Sequence, residues 1–208
     1  MEKEEFERGL YSRNPSGSVA RLQGKVVGIA GAGGLGSSIA VSLLRAGVQR
    51  FILVDHDRVE LSNLNRQYFF LDQVGLEKTV ALHQSLLRVN PFVEAELHCV
   101  WINAENLVEL FAKADLLIEA LDDPEMKAMV ARRWLQSFPD RYVVMGSGIS
   151  GYGMNDIITT TVHGRVVICG DQKTELSEIA GLCAPRVGIV AHMQANVALE
   201  LLLNEGIK

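Results

Sequence analysis

The stretch that most constrains this chain is a glycine cluster, Gly31-Ala32-Gly33-Gly34-Leu35-Gly36, set between two ordered-looking segments. Before it, Lys25 to Ala30 is apolar, β-branched and too short for a helix, so it reads as a buried strand. After it, Ser37 to Ala46 continues as a helix, and Phe51 to Val54 forms the next strand. Such a strand, glycine turn, helix and strand within about 30 residues implies parallel pairing with a right-handed crossover. Asp55 closes the second strand, 24 positions after Gly31, which is the spacing of a dinucleotide-binding fingerprint. Each part has a physical reason. Glycines let the backbone approach phosphate, N–H groups at a helix start face the anion, and a carboxylate accepts from ribose hydroxyls. Gly31, Gly33, Gly34, Gly36 and Asp55 are therefore the candidate nucleotide-binding residues. The loop alone does not separate NAD from ATP, and tight strand-to-helix packing produces the same pattern.

The alternation continues along the chain. A helix is expected from about Gln73 to Val89, closed by Asn90-Pro91, then a strand near Val93 to Val100, a short helix near Ala104 to Ala112 and a strand at Leu116 to Ile118. Asp123-Pro124 is a helix start, with Asp as N-cap and Pro in the first position, and that helix is expected to run to Phe138 before a strand at Tyr142 to Met145. Repeated βα units predict a Rossmann-like, doubly wound α/β fold with a mainly parallel sheet. From Gly146 the pattern changes to glycine-rich turns and shorter strands, near Ile157 to Thr161 and Arg165 to Ile168, which predicts an antiparallel extension near the C-terminus. Residues 170–180 read as a polar crossover loop, and Pro185 opens a last apolar helix, Val187 to Leu203. The whole of 1–208 is expected to be one domain, with 1–24 as an N-terminal extension that includes the polar turn Arg13 to Ser18.

Composition narrows the function classes. Acidic residues outnumber Lys and Arg, 25 to 20, and the basic residues form no run, which argues against a broad nucleic-acid footprint. The first residues lack the apolar core of a signal peptide, and no apolar run is expected to reach the ~20 residues needed to span a bilayer. Cys99, Cys169 and Cys183 lie far apart, with no disulfide framework and no paired-thiol zinc spacing. A reducing cytoplasm with no membrane association is the expectation.

The residues after the second strand are more specific than the glycine loop. Asp55-His56-Asp57-Arg58-Val59-Glu60-Leu61-Ser62-Asn63-Leu64-Asn65-Arg66-Gln67 resembles the D-x-D-x-V-x-x-S-N-L-x-R-Q signature of the ThiF/MoeB/ubiquitin-activating superfamily. The glycine loop is similar to that family's G-x-G-G-L-G. Lys78, 12 positions past Arg66, falls in a V-G-x-x-K segment, and Asp115 to Asp123 resembles D-L-x-x-D-x-x-D-N. The resemblance extends to Gly181-Leu182-Cys183-Ala184-Pro185-Arg186-Val187-Gly188.

This resemblance implies ATP-dependent adenylation of the C-terminal carboxylate of a small ubiquitin-like sulfur-carrier protein ending in Gly-Gly, in thiamine biosynthesis or another sulfur pathway. A carboxylate approaching a triphosphate is repelled, so fixed cations are needed. Arg66 supplies a planar donor fork and Lys78 a compact charge, the roles that the resemblance also gives them. Asp122 beside phosphate implies Mg²⁺ between them, and Asn63 is expected to bond phosphate or ribose. Arg13 is similar to an arginine that reaches the ATP site from the other subunit of a homodimer, although Leu10 and Asn14 depart from that segment's pattern. Larger relatives carry two CxxC pairs for zinc. This chain has neither, so no zinc is expected. In the crossover loop Ser177 falls near the position where some relatives carry a cysteine that bonds the carrier, while the offsets of Cys169 and Cys183 do not match. Cys183 reads as a core residue, with a thioester or persulfide role as the alternative. A separate protein is expected to donate sulfur.

Three other functions share some of these features. A tRNA-modifying dehydratase uses the same ATP site. An NAD(P)-dependent oxidoreductase explains the glycine loop and Asp55 but leaves Arg66, Lys78 and Asp122 without a shared task. A binding module would keep the nucleotide fold without catalysis. The histidines, His56 included, fall in no shared motif, and Asp57 and Asp123 read as turn and cap residues.

Overall fold

A computed structural model describes residues 2–174 and 181–204. Seven strands form one sheet: β1 Val26–Ala30, β2 Arg50–Val54, β3 Glu94–His98, β4 Leu116–Glu119, β5 Val143–Gly146, β6 Thr159–His163 and β7 Val166–Gly170. Their order is β3-β2-β1-β4-β5-β7-β6. Every pairing is parallel except that of β6 with β7, so the Rossmann-like sheet and its antiparallel extension are both present.

Alternation along the strands assigns the two faces. Val27, Ile29, Phe51, Leu53, Leu116 and Ile118 point to one side, where α3 (Gly34–Ala46), α4 (Lys78–Leu87) and α7 (Ala184–Asn204) cover them. Ala30, Ile52, Val54, Leu117 and Val143 point to the other, against α5 (Leu107–Phe111) and α6 (Pro124–Ser137). Trp134 of α6 is fully buried there and donates its indole N–H to Tyr142 O at 3.1 Å. The last helix, α7, is long and apolar enough by length and composition to cross a membrane, yet half of its apolar window is buried inside the fold. It packs along α3, so its all-round apolar character belongs to a core helix.

Two helices precede the sheet, α1 (Lys3–Leu10) and α2 (Ser18–Leu22). Asn14 donates to Ala46 O at 2.9 Å, and the buried Tyr11 hydroxyl receives Asn90 Nδ2 at 3.1 Å, so this extension is fastened to the body. Sequence reading passed over α2, whose Leu22 is buried.

Two other boundaries differ from expectation in ways that matter for the site. The second half of the glycine cluster, Gly34 to Gly36, already belongs to α3, with Gly33 as its N-cap, and Ser37 N–H donates to Gly33 O at 3.0 Å. The helix expected from Gln73 starts only at Lys78. Gly75 has φ +90°, which interrupts any helix, and Lys78 N–H bonds Asp57 O at 2.9 Å. The segment 175–180, with Ser177 and most of the crossover loop, lies outside the described residues.

Candidate active site

Strand order reverses at β1, which has β2 on one side and β4 on the other, and open α/β sheets bind ligands beyond the carboxyl ends of such strands. A cavity of about 330 Å³ lies there. Gly31, Gly33, Gly34, Asp55, Asn63, Arg66, Lys78 and Asp122 all line it. Eight residues spread over 92 positions of sequence are thus gathered by the fold.

The glycine loop forms the floor. Gly31 has φ +96°, and a Cβ on it would stand 2.7 Å from Ala120 O, so only glycine lets the loop pass the end of β4. A Cβ on Gly36 would meet Gly31 O at 1.9 Å; Gly36 therefore closes the loop onto α3 rather than facing the cavity. At Gly33 a Cβ would meet nothing closer than Gln67 Nε2 at 3.8 Å. The protein's own packing leaves that side of Gly33 open, as a cradle for a phosphate requires. Asp55 braces the loop: Oδ2 accepts from Ala32 N–H at 2.7 Å and Oδ1 from Asp57 N–H at 2.8 Å. Each carboxylate oxygen keeps a further lone pair for a ribose hydroxyl.

The segment after β2 forms a second wall. Asn63 Oδ1 accepts from Glu60 N–H at 3.1 Å, and among the described residues its amide N–H₂ has only a long 3.5 Å contact to Ser62 Oγ. Arg66 Nη1 donates to Asn65 Oδ1 at 2.8 Å and Ser62 O at 3.3 Å, while its Nε and Nη2 have no acceptor among the described residues. Ser37 Oγ links the two walls, donating to Gly33 O at 2.6 Å and accepting Tyr68 N–H at 2.9 Å. Gln67 is buried, and its Oε1 has no partner among the described residues, a polar atom left over beside the cavity.

Lys78 is buried, and its ammonium rests 2.7 Å from Asp57 Oδ2. Asp57 is therefore more than a turn residue, since it holds the lysine at the wall and also receives His56 Nε2 at 3.1 Å. His56 has a place that no sequence motif disclosed: it lines the cavity and packs against Trp101, ring centroids 4.0 Å apart and planes tilted by 60°. Trp101 is 57% exposed, and with Val100 and Ile102 it makes an apolar wall just past β3. An aromatic shortly after a strand's carboxyl end was the available signal.

Asp122 and Asp123 end the β4 turn. Asp123 caps α6, accepting Met126 N–H at 2.8 Å, as its position before Pro124 predicts. Asp122 is exposed to the cavity and makes no hydrogen bond or ion pair among the described residues. Behind it Glu119 is fully buried. Burial pushes its carboxyl above the usual value, against the pull of the Lys127 ammonium and the Leu121 N–H, and Asp122 pushes it further up.

Arg13 stands apart. It is exposed in the turn after α1 and does not line this cavity. Cys183, expected in the core, is instead exposed, because it lies just ahead of the first turn of α7 rather than on its packed face, and its neighbour Leu182 lines the cavity. Cys169 is buried on β7, where burial raises its thiol against a contact with Thr160. That environment disfavours a thiolate.

This fold with a glycine floor, two cations and an acidic turn at one switch point defines a class, and residues 11–208 match the ThiF family. The chain belongs to that family. It is 32% identical over 217 residues to ubiquitin-like modifier-activating enzyme 5 of Arabidopsis thaliana, covering 89% of this chain and 49% of the relative. The Caenorhabditis elegans protein of the same name is 29% identical over 212 residues, again with 89% and 49% covered. The chain thus spans about half the length of the curated relatives it matches. Among solved structures, E. coli tRNA N6-threonylcarbamoyladenosine dehydratase, TcdA, in complex with ATP superposes with a TM-score of 0.87 at 18% identity, covering 99% of this chain and 98% of that one. E. coli MccB with AMPCPP and MccA gives 0.75 at 21% identity, covering 96% and 65%. At such identities these two establish the fold.

Proposed function

We propose that this chain adenylates the C-terminal carboxylate of a small ubiquitin-like protein, using ATP and Mg²⁺. The observation that carries the reading is the meeting of Arg66, Lys78 and the unpartnered Asp122 in one cavity floored by the glycine loop. An oxidoreductase would need the loop and Asp55 but has no shared use for those three. Similarity to ubiquitin-like modifier-activating enzymes supports a ubiquitin-like partner. The narrower part of the proposal is a sulfur carrier ending in Gly-Gly, in thiamine biosynthesis, in the cytoplasm, with sulfur supplied by a separate protein.

In this reaction the carrier carboxylate oxygen bonds the α-phosphorus of ATP, the bond from that phosphorus to the bridging oxygen breaks, and pyrophosphate departs with the electron pair. Two anions must first approach. Opposite charges about 4 Å apart attract by roughly 4 kcal/mol at an effective dielectric near 20, so each fixed cation offsets a sizeable part of that repulsion. Lys78, held by Asp57, offers a localised charge, while the free Nε and Nη2 of Arg66 offer donors to phosphate oxygens. Asn63 donates its amide hydrogens, the backbone at Gly33 and Gly34 receives phosphate, and Asp55 takes the ribose hydroxyls. The Trp101 and His56 wall covers the apolar side of the nucleotide.

Asp122 fits a magnesium ion: a hard carboxylate donor with no partner among the described residues, beside phosphate, is the kind of ligand this ion takes. The ion, when bound, neutralises phosphate charge. No zinc is expected in this reading. Arg13, exposed outside its own cavity, serves the cavity of a second copy in a homodimer.

The test is pyrophosphate exchange. Protein, ATP, Mg²⁺ and labelled pyrophosphate are incubated with candidate Gly-Gly carriers, and separately with tRNA. Carrier-dependent exchange is expected, lost in Arg66→Ala and Asp122→Ala proteins that remain folded. Absence of exchange with every carrier, or equal activity in both variants, overturns the proposal. Turnover with tRNA instead would favour the dehydratase reading, which has in its support the end-to-end match of fold with TcdA.

A further inference from the structure

Behind the cavity lies a charge pair, its carboxylate fully buried and its ammonium partly so, that the proposed chemistry does not use. Glu119, the last residue of β4, accepts Leu121 N–H at 2.7 Å and Lys127 Nζ at 2.9 Å through Oε1, and Lys127 Nζ stands 2.8 Å from Oε2. The same ammonium donates to Leu121 O at 2.8 Å. One lysine therefore grips both the carboxylate at the end of the strand and the carbonyl immediately before Asp122.

The rest of that turn is held from the other side. Ala120 N–H donates to Ala30 O at 2.9 Å, and Ala120 O lies against Gly31 of the glycine loop. The backbone of Glu119 is fixed in turn by Gln194, whose Nε2 donates to Glu119 O at 3.3 Å and Val144 O at 3.4 Å. Up to Leu121 the turn is anchored by polar contacts, and the next carboxylate, that of Asp122, has none among the described residues.

Neither member of the pair is well placed for stability. Lys127 sits in the first turn of α6, where the helix dipole disfavours a cation. Glu119 is wholly buried, and a buried ion pair is seldom more stabilising than apolar packing of the same volume. Both disadvantages make sense if the pair serves to hold the turn.

We infer that Glu119 and Lys127 are positioning residues that fix the Leu121-Asp122 turn, and thereby aim Asp122 at the metal-bound phosphates. This inference rests on the proposed role of Asp122. A carboxylate displaced by about 1 Å can lose its part in a transition state by as much as 10²-fold, so an indirect effect of that size is expected.

The test compares Glu119→Gln, Lys127→Met, the double variant and Asp122→Ala, reading ATP affinity by calorimetry with and without Mg²⁺, alongside thermal melting and pyrophosphate exchange. Without Mg²⁺ the pair variants are expected to bind ATP within about twofold of the parent. With Mg²⁺ they lose the gain in affinity that the parent shows, and exchange falls about 10- to 100-fold. The double variant is expected to be no worse than either single one, because both remove one device. Lys127→Arg, which keeps the charge, should restore part of the Mg²⁺ effect. If Asp122→Ala keeps the full Mg²⁺ effect, the reading of Asp122 fails and this inference with it. If Asp122→Ala abolishes that effect while folded Glu119→Gln and Lys127→Met keep it, the positioning role alone is overturned. Should Glu119→Gln not fold, Lys127→Met decides, since Lys127 is partly exposed.

Discussion

Replacing Lys78 by methionine separates the charge of this residue from its shape. The side chain is only 6% exposed, and methionine keeps an unbranched apolar stem in the same space. The ammonium's partner, Asp57, has a side chain 48% exposed, so its carboxylate regains water when the lysine is removed. A pair with one solvated member contributes about 0–1 kcal/mol. Stability should fall by no more than that, a shift of about 2–4 °C in melting temperature for a chain of this size. The N–H of residue 78 still bonds Asp57 O, so the start of α4 is preserved. Catalysis should respond far more strongly. A charge about 4 Å from a phosphate oxygen at an effective dielectric near 20 is worth roughly 4 kcal/mol, close to 10³ in rate. Arg66 remains in the cavity and water moves in, so a loss of about 10²- to 10³-fold is the expected outcome. Carrier-dependent pyrophosphate exchange measures it, with circular dichroism and melting curves on the same preparations. A Lys78→Met protein that melts with the parent and exchanges within threefold of it would refute the electrostatic account.

The glycine loop gives a contrast. Gly36→Ala would bring a Cβ to 1.9 Å from Gly31 O and should destabilise the protein by about 1–3 kcal/mol or more, whereas Gly33→Ala meets no protein atom closer than 3.8 Å and should leave the melting temperature nearly unchanged while weakening ATP binding at least tenfold. Equal effects of the two on melting would show that Gly33 is not held open for a ligand. Acid stability tests Asp171, which is buried against Arg186. Burial alone would raise its carboxyl, but the N–H groups of Thr174 and Lys173, the Thr174 hydroxyl and Arg186 together hold it below the ordinary 3.8. A depressed folded-state value means that its contribution is complete above pH 3.8 and is lost as pH falls through the lower, folded value. Asp171→Asn should therefore flatten the acid limb of melting temperature against pH, and at neutral pH should cost about 3–5 kcal/mol because Arg186 is left buried without its counter-charge. Parallel acid limbs for the two proteins would contradict this.

The sequence by itself determined the elements and the chemistry they carry. Strand and helix periods, the glycine cluster before α3 and the Asp123-Pro124 start of α6 are local signals, written within a few residues of the structure they produce. The candidate residues were legible in the same way, as ordered motifs, and all of them except Gly36 and Arg13 line one cavity.

Tertiary structure decided what those residues touch. Lys78 begins a helix because Gly75 turns the chain and Asp57, 21 positions earlier, holds both its backbone and its ammonium. His56 joins the cavity because β3 lies beside β2 and brings Trp101 alongside. Glu119 fell in the Asp115 to Asp123 motif without an assigned task, and Lys127 in none, until the end of β4 was buried between the glycine loop and α6. The α2 helix and the Asp171 to Arg186 pair likewise owe their form to packing against α7. The physical reason is range. Propensity and period act over a turn or a strand, whereas these contacts depend on strand order and burial, which the alternation of elements does not encode.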